Sequence, residues 1–344
     1  MSKKKAAEKT VVTDMQHLAD LAGVSRATVS RALSDSPLVN DKTKAKIRKL
    51  AAKHGYQVNE QARNFRLKTT KIIAVAFMLD TASEQHMSDP FFLEMLGGIA
   101  DCLAEHDYDL LLAHAPITDV LDLQNSRLYR QSDGVIFVGQ FDQHEQLNEL
   151  AKRGIPIVAW GAPVANKEYC LVGGDNERGG FIATQHLLEK GRKRIAFFGD
   201  NKPPEIKLRY SGYKKALRKA GLKADEQLQF NVPFELNHAR DAVTEIVRSK
   251  VTFDAAVCGS DVMALSTIAA LSENGLRVPE DIAVVGYDDI GLAAHSSPPL
   301  TTIRQNIPLA GRLLAESLLK LIDGQKVADT TIEGELVARQ SSGK

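Results

Sequence analysis

Cysteine is scarce in this chain, with three residues in 344, at Cys102, Cys170 and Cys258. They are odd in number and far apart, which excludes a disulfide framework and a cysteine metal cluster. Long apolar runs are missing as well. No stretch approaches the roughly 18 uncharged apolar residues of a membrane-spanning helix, so no membrane partner is expected. The basic start MSKKKAAEKTVV is not followed by the apolar segment of a signal peptide, and the expected location is the cytoplasm. Catalytic signatures are also absent. There is no G-x-S-x-G and no P-loop, and the nine His residues form neither H-E-x-x-H nor any close ligand spacing. The expectation is a protein that is not an enzyme, with no cofactor and no metal. Aromatic residues make up 6%, and tryptophan occurs once, at Trp160.

Net charge is small, +1, but unevenly spread. Residues 1–71 hold 16 Lys+Arg against 6 Asp+Glu, and the remainder hold 28 against 37. A basic head on an acidic body implies that one part meets a polyanion and the other does not. The length implies more than one domain, and 44% hydrophobic with 25% charged residues is ordinary for a globular protein.

The head reads as a helix-turn-helix. Asp14 is placed to cap a helix whose apolar residues Met15, Leu18, Ala19 and Ala22 share one face, and Gly23 stops it. Ser25 is placed to cap a second helix, with Val29, Ala32 and Leu33 inward. Arg26, Ala27, Thr28, Ser30 and Arg31 are left outside, where the N-terminal part of a recognition helix meets base edges. Arg26 and Arg31 have the fork for guanine, and Ala27 suits a thymine methyl; the alternative for both arginines is phosphate contact alone. A third helix, capped by Asn40 or Asp41 and ended by Gly55, turns Ile47, Leu50 and Ala51 inward. Its expected exposed face holds Lys42, Lys44, Lys46, Arg48, Lys49 and Lys53, either solvated or touching phosphates. Lys3, Lys4 and Lys5 read as a disordered basic tail.

From Ile72 the pattern changes to short apolar strands alternating with amphipathic helices. Strands are expected at Ile72–Met78, Leu110–Ala113, Gly134–Val138, Ile155–Trp160, Arg194–Gly199, Phe253–Val257 and Ile282–Val285. This is the pattern of parallel α/β sheets, and its restart indicates two lobes. Val172-Gly-Gly-Asp-Asn176 and Arg178-Gly-Gly180 lack dinucleotide-binding spacing and read as lobe packing or cleft rim. Asp261 reads as the cap of a helix whose apolar face begins at Met263. His17 and His295 carry no functional signal.

The run Leu18-Ala-Asp-Leu-Ala-Gly-Val-Ser-Arg-Ala-Thr-Val-Ser-Arg-Ala-Leu33, with Gly55-Tyr56 and Ala62-Arg63, resembles the LacI/GalR family of bacterial transcription regulators. The resemblance runs from about Thr13 to Leu336-Val-Ala-Arg-Gln-Ser-Ser342. It implies an N-terminal all-α helix-turn-helix domain plus an α/β two-lobed effector domain like type I periplasmic binding proteins. The implied divisions are a tail at 1–11, the DNA-binding domain at 12–58, a hinge at 59–70 and the core at 71–344. Three crossings between lobes would place 71–172 and 306–331 in the first lobe, and 173–305 and 332–344 in the second. In the family the hinge helices form on the operator and wedge a side chain into the minor groove. Asn59, Ala62, Arg63 and Phe65 fall there, with Phe65 at the wedge position where Leu is usual; Phe is an accepted wedge, and packing between two hinges is its alternative role.

The resemblance also nominates an effector pocket. Asp288, in Val285-Gly-Tyr-Asp-Asp289, matches a ligand-binding carboxylate, and Arg209, in Arg209-Tyr-Ser-Gly-Tyr213, a ligand-binding arginine. Ser260 stands where relatives often carry Asn. Phe91, Phe92, Trp160 and Phe234 are the candidate aromatic walls, each with a plain core role as the alternative. No heptad run follows the last core motif, so a homodimer is expected rather than a coiled-coil tetramer. The reading is a repressor of carbohydrate-utilisation genes, released from double-stranded, pseudo-palindromic operator DNA by a small sugar. A corepressor-dependent regulator answering to a purine or nucleoside is the alternative. A solute-binding protein without DNA function is the competing class, against which the intact helix-turn-helix argues.

Overall fold

The computed structural model describes residues 14–56, 69–79, 85–112, 127–140 and 143–343, which fall into two units, 1–70 and 71–344. In the first, α1 (Met15–Ala22) starts where Asp14 accepts the His17 amide at 2.8 Å. α2 (Arg26–Leu33) starts where Ser25 accepts the Thr28 amide at 3.1 Å, and α3 (Asp41–His54) where Asn40, not Asp41, accepts the Thr43 amide at 2.8 Å. Each cap satisfies an amide that the first helical turn leaves without a partner. Gly23 and Gly55 both end their helices at φ 68° with open space where a Cβ would stand, so the left-handed backbone alone selects glycine there. Leu18, Ala19, Val29, Ala32, Val39, Ile47 and Ala51 close the small core.

The basic face of α3 is less free than expected. Lys44 is 9% exposed, and its ammonium lies 3.2 Å from both the carbonyl and the carboxylate of Asp35. Arg48 donates to the same carboxylate at 2.7 Å, which pins the left-handed turn at Asp35 (φ 58°). Lys46 donates to the Ala22 carbonyl at 2.8 Å, an orphan acceptor at the end of α1. Three of the six bases therefore brace the module itself, and Lys42, Lys49 and Lys53 remain exposed.

The second unit alternates strand and helix. It runs β1 (Ile72–Phe77), α4 (Pro90–Glu105), β2 (Asp109–Leu112), β3 (Gly134–Val138), α5 (His144–Lys152), β4 (Ile157–Trp160), β5 (Cys170–Gly174), α6 (Asn176–Glu189), β6 (Ile195–Phe198) and α7 (Pro204–Lys219). It continues β7 (Gln229–Phe230), α8 (Leu236–Arg248), β8 (Ala255–Cys258), α9 (Asp261–Glu273), β9 (Ala283–Asp288), β10 (Thr301–Arg304), α10 (Ile307–Ile322), β11 (Thr330–Ile332) and β12 (Glu335–Val337). Two six-stranded sheets result, ordered β11-β5-β4-β3-β1-β2 and β12-β10-β9-β8-β6-β7. All neighbours are parallel except β10 and β12.

Both faces of each sheet are covered, which is why the strands read as continuous apolar runs. In β1, Ile73, Val75 and Phe77 pack with Met95, Ile99 and Leu314 of α4 and α10, while Ala74 and Ala76 pack with Leu147 and Leu150 of α5. In β8, Ala256 and Cys258 join Met263 and Val243, while Ala255 and Val257 join Leu187 and Tyr213. β5 carries the first sheet through Gly174 and β11 through Ile332. The chain thus crosses between sheets at 175–176, 305–306 and 333–334.

The glycine-rich Val172–Gly174 is not a rim but part of the buried strand β5. A Cβ at Gly173 would overlap the Gly161 carbonyl, and one at Gly174 would stand 2.6 Å from Gln305 Oε1, so close approach dictates glycine. Among the described residues no helix is long and apolar enough to cross a membrane.

Candidate functional site

In the first unit, α2 exposes Arg26, Ala27 and Arg31, while Thr28 and Ser30 are half-buried. The Thr28 hydroxyl lies 2.9 Å from that of Ser25, so its polar atom is tied to the cap. Val29 and Ala32 are fully buried and hold the opposite face down, which fixes which residues of α2 point outward. Asn59, Ala62, Arg63 and Phe65 lie outside the described residues.

In the second unit the carboxyl ends of the strands of both sheets converge on one cleft that is open to solvent. Strand ends are where open α/β sheets leave backbone and side chains free for a ligand. Met78, Gln140 and Trp160 follow or end β1, β3 and β4 on one side; Ser260 and Asp288 follow or end β8 and β9 on the other. The first turn of α4 adds Phe91 and Phe92, and α7 adds Glu205 and Arg209. All seven effector candidates read from the sequence, Phe91, Phe92, Trp160, Arg209, Phe234, Ser260 and Asp288, line this one cleft.

The aromatic wall is graded in depth. Phe91 is half-buried, with its ring 6.1 Å from Trp160 and 5.5 Å from Phe92. Phe92 also stacks edge-on with Phe77 at 5.2 Å and belongs to the first-sheet core as much as to the cleft. Phe234 is half-buried and packs against both cores of the second sheet.

Asp288 ends β9 with φ 122°, followed by Asp289 at φ 58°. Such angles are costly for side-chain-bearing residues and need surrounding restraint. The restraint is visible: Asp289 receives Arg304 at 2.7 Å and Arg339 at 2.6 Å. Gln305 donates to Asp288 Oδ1 at 2.6 Å, and Arg209 Nη1 stands 3.9 Å from the same oxygen. Burial pushes the Asp288 carboxyl up to about 7; Arg209 opposes the shift and the Asp89 charge adds to it. Arg209 is itself held in place. Its Nε donates to Asn176 Oδ1 at 2.8 Å, its Nη1 to the Gly259 carbonyl, and its plane lies 3.7 Å from the Tyr287 ring centre.

Asp261 does not cap α9. Ser260 does, its Oγ accepting the Met263 amide at 3.3 Å. Asp261 is fully buried one residue further in, where it accepts the Thr302 hydroxyl at 2.6 Å and the Ile290 amide at 2.9 Å. Burial, with the Asp288 charge beside it, holds this carboxyl well above the usual carboxylate range.

Four polar lining residues were not read from the sequence: Gln85, Asp89, Gln140 and Glu205. Asp89 accepts the Phe91 amide at 2.9 Å as the cap of α4, and Asp-Pro at a helix start was the available signal. Glu205 lies four residues before Arg209 and so on the same face of α7, a signal that needed the helix boundary. Gln140 follows β3 as Trp160 ends β4; its Oε1 accepts the Ala162 amide at 2.9 Å and its Nε2 donates to Tyr169 at 2.7 Å. Burial raises the carboxyls of both Asp89 and Glu205.

Residues 14–59 match the profile of bacterial regulatory proteins of the lacI family, and residues 184–342 that of a periplasmic binding protein-like domain. The HTH-type transcriptional regulator CelR of Thermobifida fusca is 32% identical over 337 residues, covering 95% of this chain and 97% of that protein. The HTH-type transcriptional repressor PurR of Vibrio atlanticus is 32% identical over 317 residues, covering 90% and 91%. A transcriptional regulator CelR–cellobiose complex superposes with TM-score 0.70 at 31% identity, covering 96% of this chain and all of that one. A lac repressor dimer bound to operator and the anti-inducer ONPF reaches TM-score 0.83 at 24% identity, covering 97% and 100%, a likeness of fold.

Proposed function

The chain belongs to the lacI family of bacterial regulatory proteins, DNA-binding regulators of transcription that answer to a small molecule, and we propose that it is a homodimeric repressor released from its operator by a small carbohydrate held in the cleft. The carrying observation is the cleft itself, where aromatic rings stand beside carboxyls with free acceptor oxygens, a combination suited to a sugar's apolar faces and hydroxyl edges. A structural relative of 31% identity carries cellobiose.

The two anchors are also tied to the chain crossings. Asp288 holds Gln305 and Arg209 holds Asn176, and both partners lie in segments that pass between the sheets. A ligand that binds Asp288 and Arg209 in only one lobe pose shifts the population toward that pose, and its effect on DNA affinity is limited to that preference. Two recognition helices, one per protomer, would read half-sites spaced by about one helical turn, roughly 34 Å.

The test is a titration of Trp160 fluorescence with cellobiose, ribose and other sugars, alongside a gel shift on the promoter of its own gene. A saturable change that coincides with release of the DNA supports the reading; no shift at low salt, with or without sugar, removes it. Arg26→Ala is expected to weaken specific operator binding by about 1–3 kcal/mol and leave random DNA less affected, as loss of a base contact would. Equal weakening on every sequence would assign Arg26 to phosphate.

A further inference from the structure

Among the described residues, the charged groups that line the cleft are three carboxyls, Asp89, Glu205 and Asp288, and one guanidinium, Arg209. Their hydrogen-bonding capacity is lopsided. Arg209 already donates through Nε and Nη1 to Asn176 and Gly259. Asp89 accepts one amide and keeps a free oxygen, whereas Asp288 accepts both the Gln305 side-chain amide and the Asp261 backbone amide. Glu205 takes only its own backbone amide, and no other donor among the described residues reaches it. Asp89 and Glu205 therefore keep acceptor oxygens for a ligand, and Arg209 keeps the N–H groups of Nη2. A sugar hydroxyl donates one hydrogen bond, whereas a phosphate or carboxylate brings only acceptors and further negative charge.

The electrostatics point the same way. Among the described residues three carboxyls face one guanidinium, so a further anion meets net like charge, and the Asp89 charge on the first-sheet side already acts on Asp288 across the cleft. Within this set Glu205 differs from its neighbours. Asp89 also caps α4 and Asp288 also ties a crossing, but Glu205 has no structural partner. Glu205 is half-buried beside Arg209, whose charge acts on it, and its carboxyl is left to accept from whatever enters the cleft.

We infer that the cleft selects its ligand by charge, taking an uncharged polyhydroxylated compound and excluding phosphorylated or carboxylated sugars, with Glu205 as the specificity-determining residue. This rests on the carbohydrate reading of the cleft. Glu205 accepts a ligand hydroxyl from the second-lobe side, and its charge together with that of Asp89 repels an anion at the same position.

The test uses the full chain and pairs of sugars that differ in charge: cellobiose with cellobiouronate, D-glucose with D-glucuronate, and D-ribose with D-ribose 5-phosphate. Trp160 fluorescence reports binding, and operator release reports the response. The neutral member of at least one pair is expected to bind about tenfold or more tightly than its anionic partner, the scale of a like-charge contact in a partly desolvated site. In Glu205→Gln, which keeps the shape and one acceptor, that ratio is expected to shrink by about tenfold, with less change for the neutral sugar. Glu205→Ala is the second variant should the first fold poorly, with thermal unfolding as the check. An anionic sugar that binds the unmodified protein as tightly as its neutral partner overturns the inference and leaves the carbohydrate reading standing. An unchanged ratio in both variants overturns the role of Glu205. Silence toward both members of every pair, with operator binding intact, overturns the carbohydrate reading and this inference with it.

Discussion

Asp288→Asn is expected to abolish the effector response, leave operator binding intact, and make the ligand-free protein more stable at pH 8. The carboxyl is 6% exposed and pushed up to about 7 by burial, so at neutral pH much of the population carries a charge the site disfavours. The direction follows from linkage. The folded value lies above the usual 3.8, so the group's contribution to stability is full below pH 4 and is lost as pH rises through about 7. Above that the unmodified protein carries a deficit on the order of 4 kcal/mol from this group, the opposing Arg209 being already included in the folded value. Asn keeps an acceptor for the Gln305 amide and tolerates the φ of 122°, but has no proton to lose. Thermal unfolding of the unmodified protein should therefore fall more steeply between pH 5 and pH 8 than that of the variant. Parallel profiles would show that the Asp288 charge is not strained. Sugar-induced operator release that persists unchanged would show that the ligand does not use this carboxyl.

How far the sequence carries the reader depends on whether a residue's role is local. Two of the three helix caps of the first unit were legible because Asp14 and Ser25 act on amides three residues away, and the third was narrowed to Asn40 or Asp41. β1 and β3 were legible because burial on both faces leaves an unbroken apolar run. β5 was not, since Val172-Gly-Gly174 has little side-chain hydrophobicity; its burial arises from the Gly161 carbonyl and the Gln305 side chain, both distant in sequence. Lys44 misled for the same reason, because its partner Asp35 sits in the preceding turn and a helical wheel shows only the charge. Asp261 was misread as the cap of α9, a role Ser260 takes, because its bonds to Thr302 and Ile290 belong to the tertiary fold. The family resemblance nominated residues at strand ends that converge on one cleft. It was silent on Asp89 and Glu205, whose relevance comes from the helix turns that aim them into the same space.

Gly212→Ala should be among the most destabilising single substitutions in the second unit. α6 and α7 pack backbone against backbone: a Cβ on Gly212 would overlap the Glu177 carbonyl, and one on Gly180 would overlap the Arg209 carbonyl. Each glycine thus receives the other helix's main chain, and main-chain atoms have no rotamer by which to move aside. Overpacking of this kind costs about 1–3 kcal/mol and more where backbone must shift; with contacts on both helices we expect roughly 3 kcal/mol or more for Gly212→Ala. The effect should reach the site, because α7 carries Glu205 and Arg209 while α6 begins at Asn176, the acceptor for Arg209 Nε. Loss of stability and loss of sugar affinity should therefore appear together. Gly97→Ala is the control: Gly97 lies in α4 with helical backbone and nothing within 4 Å of a built Cβ, so alanine there should stabilise by up to about 1 kcal/mol through helix propensity. Urea unfolding of both variants, followed by far-ultraviolet circular dichroism, separates the cases. If Gly212→Ala unfolds at the same midpoint as Gly97→Ala, the helices part without penalty and close packing is not what positions Arg209.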